Sequence, residues 1–346
     1  MAEEGRVIVI DNGTYRCKAG FAGDEEPRTV FPPIIGKLMH YDSNYYLVDI
    51  AKGYGEQVRS PLQAGLVTDW EDMQKVWQYA CKNELHIAPE EHPFLLSEPP
   101  LTPKQSTEKL VQVLFESFSV PALNVSNTAV LALLASGRTT GCVLDCGYAV
   151  AYSVPIFEGL TLPYATLKSE LGGRDLSDYL AEWGRSPSQR DTQIYLLRRA
   201  IRFRYPNSSY RSKLPDNTEI TVNPEITVDP EVLFQPSLLG KETYGLHQLL
   251  PKSIKRCSTE IRKDMYMNIV LSGGSSMFPG LRERVAGEIA EKAPGEQFKV
   301  EAPPERIYST WIGGSILGSL NCFPEKCVSK QEYEEVGPAV VHRRFF

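Results

Sequence analysis

Two short stretches of this chain carry the same device, and any fold it adopts has to accommodate both. Near the start the residues run Val7-Ile8-Val9-Ile10-Asp11-Asn12-Gly13-Thr14-Tyr15, and in the middle Cys142-Val143-Leu144-Asp145-Cys146-Gly147-Tyr148-Ala149. Each is an apolar β-run that ends in aspartate, passes one residue, reaches glycine and turns into a second β-run. An aspartate closing a buried strand can face a cation, and the backbone N–H groups of a tight glycine turn can face phosphate oxygens. Two copies predict two similar domains closing on one nucleotide. Each copy also carries a tyrosine, Tyr15 or Tyr148, where such a turn wants a small residue. If that position needs a positive φ, a non-glycine residue there costs on the order of 1 kcal/mol or more.

The bulk properties narrow the field. A chain of 346 residues, 42% apolar and 23% charged, is long enough for two domains with a large core. The net charge of −6 offers no basic footprint for nucleic acid. No apolar run is long enough to span a bilayer, and Met1-Ala2-Glu3-Glu4-Gly5 is not a signal peptide, so a cytosolic or nuclear protein is expected. The seven cysteines are an odd number without zinc-type spacing, and read as reduced thiols filling the core.

Periodicity then places the elements. Residues 7–10, 15–22 and 28–31 read as strands, 37–63 as an irregular loop, and Asp69 to Glu84 as a helix with Asp69 as N-cap. A strand at 94–97, a helix over 102–118 and an apolar helix over 127–136 follow, the last closed by Gly137 as its C′ glycine. The second strand-turn-strand spans 142–155, and Leu171-Gly172-Gly173-Arg174-Asp175 opens a helix to about 182. Residues 189–203 read as a helix whose Arg198, Arg199, Arg202 and Arg204 form a solvated basic face. Strands are expected at 220–226, 232–234 and 268–272, and a helix from about Pro279. A helix over 310–320 is rich in small residues (Gly313, Gly314, Ser315, Gly318), as close packing against a strand or a ligand requires. The alternation and the internal duplication argue an α/β chain with two similar halves.

A set of longer strings is more specific. Cys17-Lys18-Ala19-Gly20-Phe21-Ala22-Gly23-Asp24, Ala88-Pro89-Glu90-Glu91-His92-Pro93, Ala135-Ser136-Gly137-Arg138-Thr139-Thr140-Gly141, Leu233-Phe234-Gln235-Pro236-Ser237-Leu238-Leu239-Gly240, Leu271-Ser272-Gly273-Gly274, Ala302-Pro303-Pro304-Glu305-Arg306 and Trp311-Ile312-Gly313-Gly314-Ser315-Ile316-Leu317 run from end to end of the chain. They resemble actin almost word for word and in the family's order. The resemblance implies the duplicated, ribonuclease H-like fold shared by actin, hexokinase and Hsp70, with ATP or ADP and Mg2+ in a cleft between two lobes. The first lobe would cover 1–127 with the tail 308–346 packing back on it and an outer loop at about 37–63. The second would cover 128–307, with a trimmed outer subdomain at about 183–215. Carried over position by position, the nucleotide contacts are Asp11, Gly13, Thr14, Lys18, Asp145, Gly147, Gly273, Gly274, Met277, Phe278 and Tyr308, with Asp11 and Asp145 meeting the metal through water. A groove for partner helices, at what the family calls the barbed end, would be built from Gly137, Thr139, Gly159, Ile316, Leu317 and Leu320, with Leu134 replacing a tyrosine. Actin, other actin-like subunits or actin-binding proteins are the partners it implies, with neither nucleic acid nor membrane among them.

The departures from the family decide the expected function. Tyr15 stands where the family has glycine, and Tyr148 and Ala149 where it has aspartate and glycine. The glutamine and histidine that orient the attacking water are Thr128 and Tyr152 here. Losing such groups costs several orders of magnitude in rate. No catalytic residue is therefore assigned. A lysine beside the base is Ile307, and in the family's mobile plug segment Lys241 and Tyr244 replace an apolar and a small residue. The expectation is a structural or adaptor subunit of a cytoskeletal assembly, cytoplasmic or in a nuclear, ciliary or sperm structure, that binds nucleotide weakly or without turnover. The rival is an active ATPase that self-assembles into filaments. The plainer readings remain open: Asp11 and Asp145 as turn residues, the two tyrosines as filler for an absent phosphate, Gly313 and Gly314 as helix packing.

Overall fold

A computed structural model describes residues 5–37, 45–47, 58–183, 210–213, 219–222 and 230–344. The chain divides into two compact units, one made of 1–140, 156–163 and 308–346, the other of 141–155 and 164–307. The expected helix at 189–203 and its arginines, most of the loop at 37–63 and much of 183–215 lie outside the described residues.

The first unit is built on a six-stranded sheet. Its strands are β1 (Ile8–Asn12), β2 (Cys17–Phe21), β3 (Thr29–Phe31), β4 (Phe94–Glu98) and β5 (Ala122–Asn127), with Val328–Ser329 at the edge, in the order edge-β5-β4-β1-β2-β3. β1 runs antiparallel to β2 and parallel to β4, so it is central and its apolar residues Ile8, Val9 and Ile10 are buried on both faces. One face is covered by α1 (Trp70–Tyr79) and α2 (Lys104–Ser117), whose Met73, Val76, Trp77, Val111 and Leu114 join Ile8, Ile10 and Phe94 in one core. Asp69 caps α1 as its pattern predicts, its side chain accepting from Asp72 N–H at 3.0 Å. Asp72 is fully buried yet paired with Arg59 and Lys75; burial alone would raise its pKa, and the hydrogen bonds from those two cations bring it below the ordinary aspartate value.

The other face of this sheet packs on the glycine-rich helix Ser309–Gly318. Trp311 lies fully buried with Val9 and Leu95 and donates its indole N–H to Val9 O at 3.0 Å. The helix lies against α3 (Thr128–Ala135) at backbone distance, because a Cβ added to Gly313 would stand 1.8 Å from Leu131 O. Where the sequence was divided at 127/128, the first unit runs on to Thr140, since α3 is wedged on that helix. Gly313 packs on the backbone of α3 and Gly314 on Val9 and Leu95 of the sheet, as the packing reading of these two glycines requires.

The second unit carries β6 (Gly141–Cys146), β7 (Ala151–Phe157), β8 (Leu167–Ser169), β9 (Ile269–Ser272) and β10 (Val300–Glu301) in the order β7-β6-β9-β10, with β8 antiparallel to β7. β6, β9 and β10 are parallel, and both β6 and β9 are buried apolar runs. Helices Gly173–Trp183, Leu246–Arg256, Thr259–Met267 and Leu281–Lys292 belong to this unit. One expectation fails: Val232 to Phe234 is not a strand but the end of a 3-10 turn over Pro230–Leu233. Glu231 O accepts the N–H groups of Phe234 and Gln235, and proline at the first position suits a helical start. Three consecutive buried apolar residues fit either element, so the pattern could not separate them.

Candidate functional site

The first of the repeated turns lies between β1 and β2, in the register that pairs Asp11 with Lys18. Asp11 is buried, and both of its oxygens are engaged. Lys18 Nζ donates to Oδ2 at 2.7 Å and Ser97 Oγ to Oδ1 at 2.6 Å. Ser97 Oγ also accepts the Asn12 N–H at 3.2 Å, and Asn12 Oδ1 accepts the indole N–H of Trp77 at 3.0 Å. Aspartate, lysine and turn backbone are thus fixed before any ligand arrives. Ser97 and Trp77 were missed by the sequence reading. They arrive from 86 and 65 residues away, and only the strand register and the N-cap of α1 could have located them. Gly13 is required by space, since a Cβ there would stand 2.5 Å from Arg16 O and 3.1 Å from Lys18 Nζ. Thr14 and Tyr15 are half-buried at the tip, and the Arg16 guanidinium lies 5.3 Å from the centre of the Tyr15 ring.

The second turn joins β6 to β7 and also has four residues between strands. It is closed by Gly147 N–H donating to Val150 O at 3.0 Å. Its carbonyls face the protein: Gly147 O accepts from Gly173 N–H at 3.1 Å and from Ser275 Oγ at 2.8 Å, and Tyr148 O from Arg174 N–H at 2.6 Å. Orphan donors at the start of the helix Gly173–Trp183 are satisfied by this turn. The backbones approach so closely that a Cβ on Gly172 would stand 2.4 Å from Tyr148 O. Neither Tyr15 nor Tyr148 has a positive φ. The condition for strain at the tips is not met, because each turn reverses the chain without a left-handed residue.

Asp145 is half-buried at the end of β6, and a Cβ on Gly273 would stand 2.7 Å from its Oδ1. On β7, Tyr152 is only 4% exposed. Burial, with the charges of Asp145 and Glu170, pushes its phenol up to about 12, so at neutral pH it is a neutral O–H and not a base. Thr128, at the other position expected to orient water, is the first residue of α3 and follows its N-cap, Asn127, whose side chain accepts from Ala129 N–H at 2.9 Å.

The loop expected to face a base follows β9. Gly273, at φ +88°, donates its N–H to Arg306 O at 3.1 Å, and the Arg306 guanidinium reaches Ser276 O at 3.0 Å and Pro303 O at 2.8 Å. Ser275 ties this loop to the second turn, so Asp145, Gly147, Gly273 and Gly274 come together within one unit. Met277 and Ile307 are exposed beside Gly274, and Phe278 is half-buried. Tyr308 belongs to the first unit, where its carbonyl accepts Ile312 N–H at 2.9 Å.

Among the described residues no group of three or more His, Cys, Asp or Glu could hold a metal ion. Each turn offers one carboxylate, and the first adds an ammonium. The carboxylate and ammonium of the first turn suit a magnesium ion held through water with a phosphate on Lys18, and do not suit a metal bound by side chains alone.

The groove residues all lie in the first unit. Thr310 Oγ1 donates to Thr128 O at 3.4 Å and Gly313 meets Leu131 O, so the two helices run in the same direction and end together. At that end α3 closes in a Schellman motif, with Gly137 N–H on Leu134 O at 2.8 Å, Arg138 N–H on Leu133 O at 3.3 Å, and Gly137 at φ +72°. Gly159 N–H donates to Thr139 O at 2.7 Å, which brings those two positions together. Near the end of the partner helix Ser309–Gly318, Ile316 is 37% exposed, and just past that helix Leu320 is 41% exposed, with Leu317 half-buried between them in sequence. The family model described as Actin matches residues 2–202 and 189–346.

Proposed function

The chain belongs to the actin family, and from that premise we propose that it is a structural or adaptor subunit of a cytoskeletal assembly, cytoplasmic, that binds partners without rapid ATP turnover. The observation that carries this reading is Tyr152. A buried phenol with its pKa near 12 stands where a histidine would assist the attacking water, and Thr128 stands where a glutamine would orient it. The nucleotide side retains its anchors. Lys18 would hold a phosphate, Asp11 and Asp145 the water shell of Mg2+, and the loop from Gly273 to Phe278 the base and ribose, with Ile307 offering no charge. Bound Mg2+ would neutralise phosphate charge, and ATP or ADP would act as a clamp that stabilises the folded chain.

Ile316, Leu317 and Leu320 support the partner side of the reading. Ile316 near the end of the helix Ser309–Gly318 and Leu320 just past it are exposed, with Leu317 half-buried between them, on a helix held to α3 at backbone distance; such an apolar rim suits the apolar face of an amphipathic helix from an actin-binding protein. Fluorescence anisotropy with such a helical peptide tests it. The wild-type chain binds, and Ile316→Asp with Leu320→Asp weakens binding at least about tenfold, the scale of losing two apolar anchors. Equal binding by both proteins refutes the rim. The self-assembling ATPase is separated by sedimentation with magnesium and salt, where a robust pellet of pure protein counts against the adaptor.

A further inference from the structure

The face of the first sheet that carries Asp11 and Lys18 holds a second cation. Side chains alternate between the two faces of a strand, so positions two apart share one face. Cys17 is buried in the core under α1 and α2, and Lys18 turns the other way to reach Asp11. Arg16 stands two positions before Lys18 and is exposed, as that alternation requires. Two residues along a strand span about 7 Å, so both cations can reach one chain of phosphates. The backbone at Arg16 is fixed, because the turn is so tight that a Cβ on Gly13 would stand 2.5 Å from Arg16 O. The same Cβ would stand 3.1 Å from Lys18 Nζ, which places the ammonium under the turn. The Arg16 guanidinium lies over the Tyr15 ring, 5.3 Å from its centre, within the range of a cation–π contact. That contact gives no oxygen to the guanidinium N–H groups. Among the described residues no carboxylate pairs with Arg16, whereas Lys18 is paired with Asp11 at 2.7 Å.

Resting on the reading that this turn holds a nucleotide, we propose that Arg16 is its second phosphate-binding cation and lets the chain hold a nucleoside di- or triphosphate with little help from magnesium. Asp11 is the only acid between Val7 and Lys18, and Lys18 offsets it, so Arg16 leaves the turn with one net positive charge. The guanidinium fork matches two phosphate oxygens at once, where the lysine ammonium acts as a point charge. A bound metal neutralises the same oxygens, and an arginine fixed at the tip supplies part of that neutralisation from the chain itself.

Isothermal titration calorimetry of the full chain with ATP and with ADP, in magnesium and in excess chelator, tests the assignment in the wild type, Arg16→Gln and Arg16→Lys. The wild type is expected to lose less than about tenfold in affinity when magnesium is removed. Arg16→Gln loses about a further tenfold in chelator, the scale of one hydrogen bond to a charged group, and less than that in magnesium. Arg16→Lys, which keeps the charge without the fork, falls between the two. Tripolyphosphate displaces ATP in chelator at far lower concentration than inorganic phosphate does, since only a phosphate chain reaches both cations. Equal affinity of Arg16→Gln and the wild type in chelator overturns the assignment and leaves the nucleotide reading standing, as does a wild type that binds ATP in magnesium alone. A wild type that binds neither nucleotide in either condition overturns both.

Discussion

Replacing Gly313 by alanine tests whether the partner rim depends on backbone contact between two helices. The added Cβ would lie 1.8 Å from Leu131 O and 2.4 Å from Leu131 C, against an ordinary separation beyond 3.4 Å. The obstacle is main chain, so no rotamer change relieves it, and the glycine-rich helix must retreat from α3. Overpacking costs about 1–3 kcal/mol where side chains can yield, and a backbone obstacle places this variant at about 3 kcal/mol or more. Gly314→Ala meets only side chains, Val9 Cγ1 at 2.7 Å and Leu95 Cδ2 at 3.2 Å. Its expected cost is about 1–2 kcal/mol. Gly287→Ala is the control, because nothing stands within 4 Å of its Cβ and its helix is regular. It should stabilise by about 0.5–1 kcal/mol through helix propensity. Urea denaturation followed by tryptophan emission reads the series, since Trp70, Trp77 and Trp311 lie in the first unit and Trp183 in the second, which carries Gly287. Gly313→Ala should also lose affinity for a helical peptide, as Ile316 and the adjoining Leu320 move with the helix Ser309–Gly318. A Gly313→Ala chain as stable as Gly287→Ala refutes the reasoning.

Two further outcomes follow from the first unit. The hairpin Leu62–Val67 turns through Ala64 at φ +51° and Gly65 at φ +83°, so alanine occupies a left-handed position, and Ala64→Asn should raise stability by about 1 kcal/mol in the same denaturation assay. Glu98 is half-buried at a small pocket lined by Leu66, Trp70 and Leu110, with Thr107 donating to its carboxylate at 2.8 Å. Burial raises its pKa from 4.5 to about 7, so the folded chain holds a proton that the unfolded chain has lost over that interval. Stability should therefore fall by about 2 kcal/mol as pH rises from 5 to 7, then level off, and Glu98→Gln should remove that slope when denaturation midpoints are compared at the two ends.

Much of this was legible in the sequence because local chemistry dictates it. Asp69 before an amphipathic run, Gly137 after an apolar helix and the two Asp-x-Gly strand ends each announce a backbone requirement within a few residues. The 3-10 turn at 230–233 was not legible, since three buried apolar residues carry no period of their own. A tyrosine at each turn tip is strained only if the position needs a left-handed backbone, a condition that the residue type does not settle and that neither turn imposes. Ser97 on Asp11 and Trp77 on Asn12 are products of strand register and helix docking, which no local motif encodes. Lys241 stood out only as a departure from the family, and its partner Asp175 emerges only when the chain is folded.

Thr128 and a neutral, buried Tyr152 are proposed to leave this actin-family chain without the means to activate water. Steady-state phosphate release by the purified full chain at saturating Mg-ATP tests it most directly. Release indistinguishable from buffer is expected, with any nucleotide extracted from the protein still carrying its γ-phosphate. Sustained release that scales with protein concentration and is lost in a Lys18→Ala variant would contradict it.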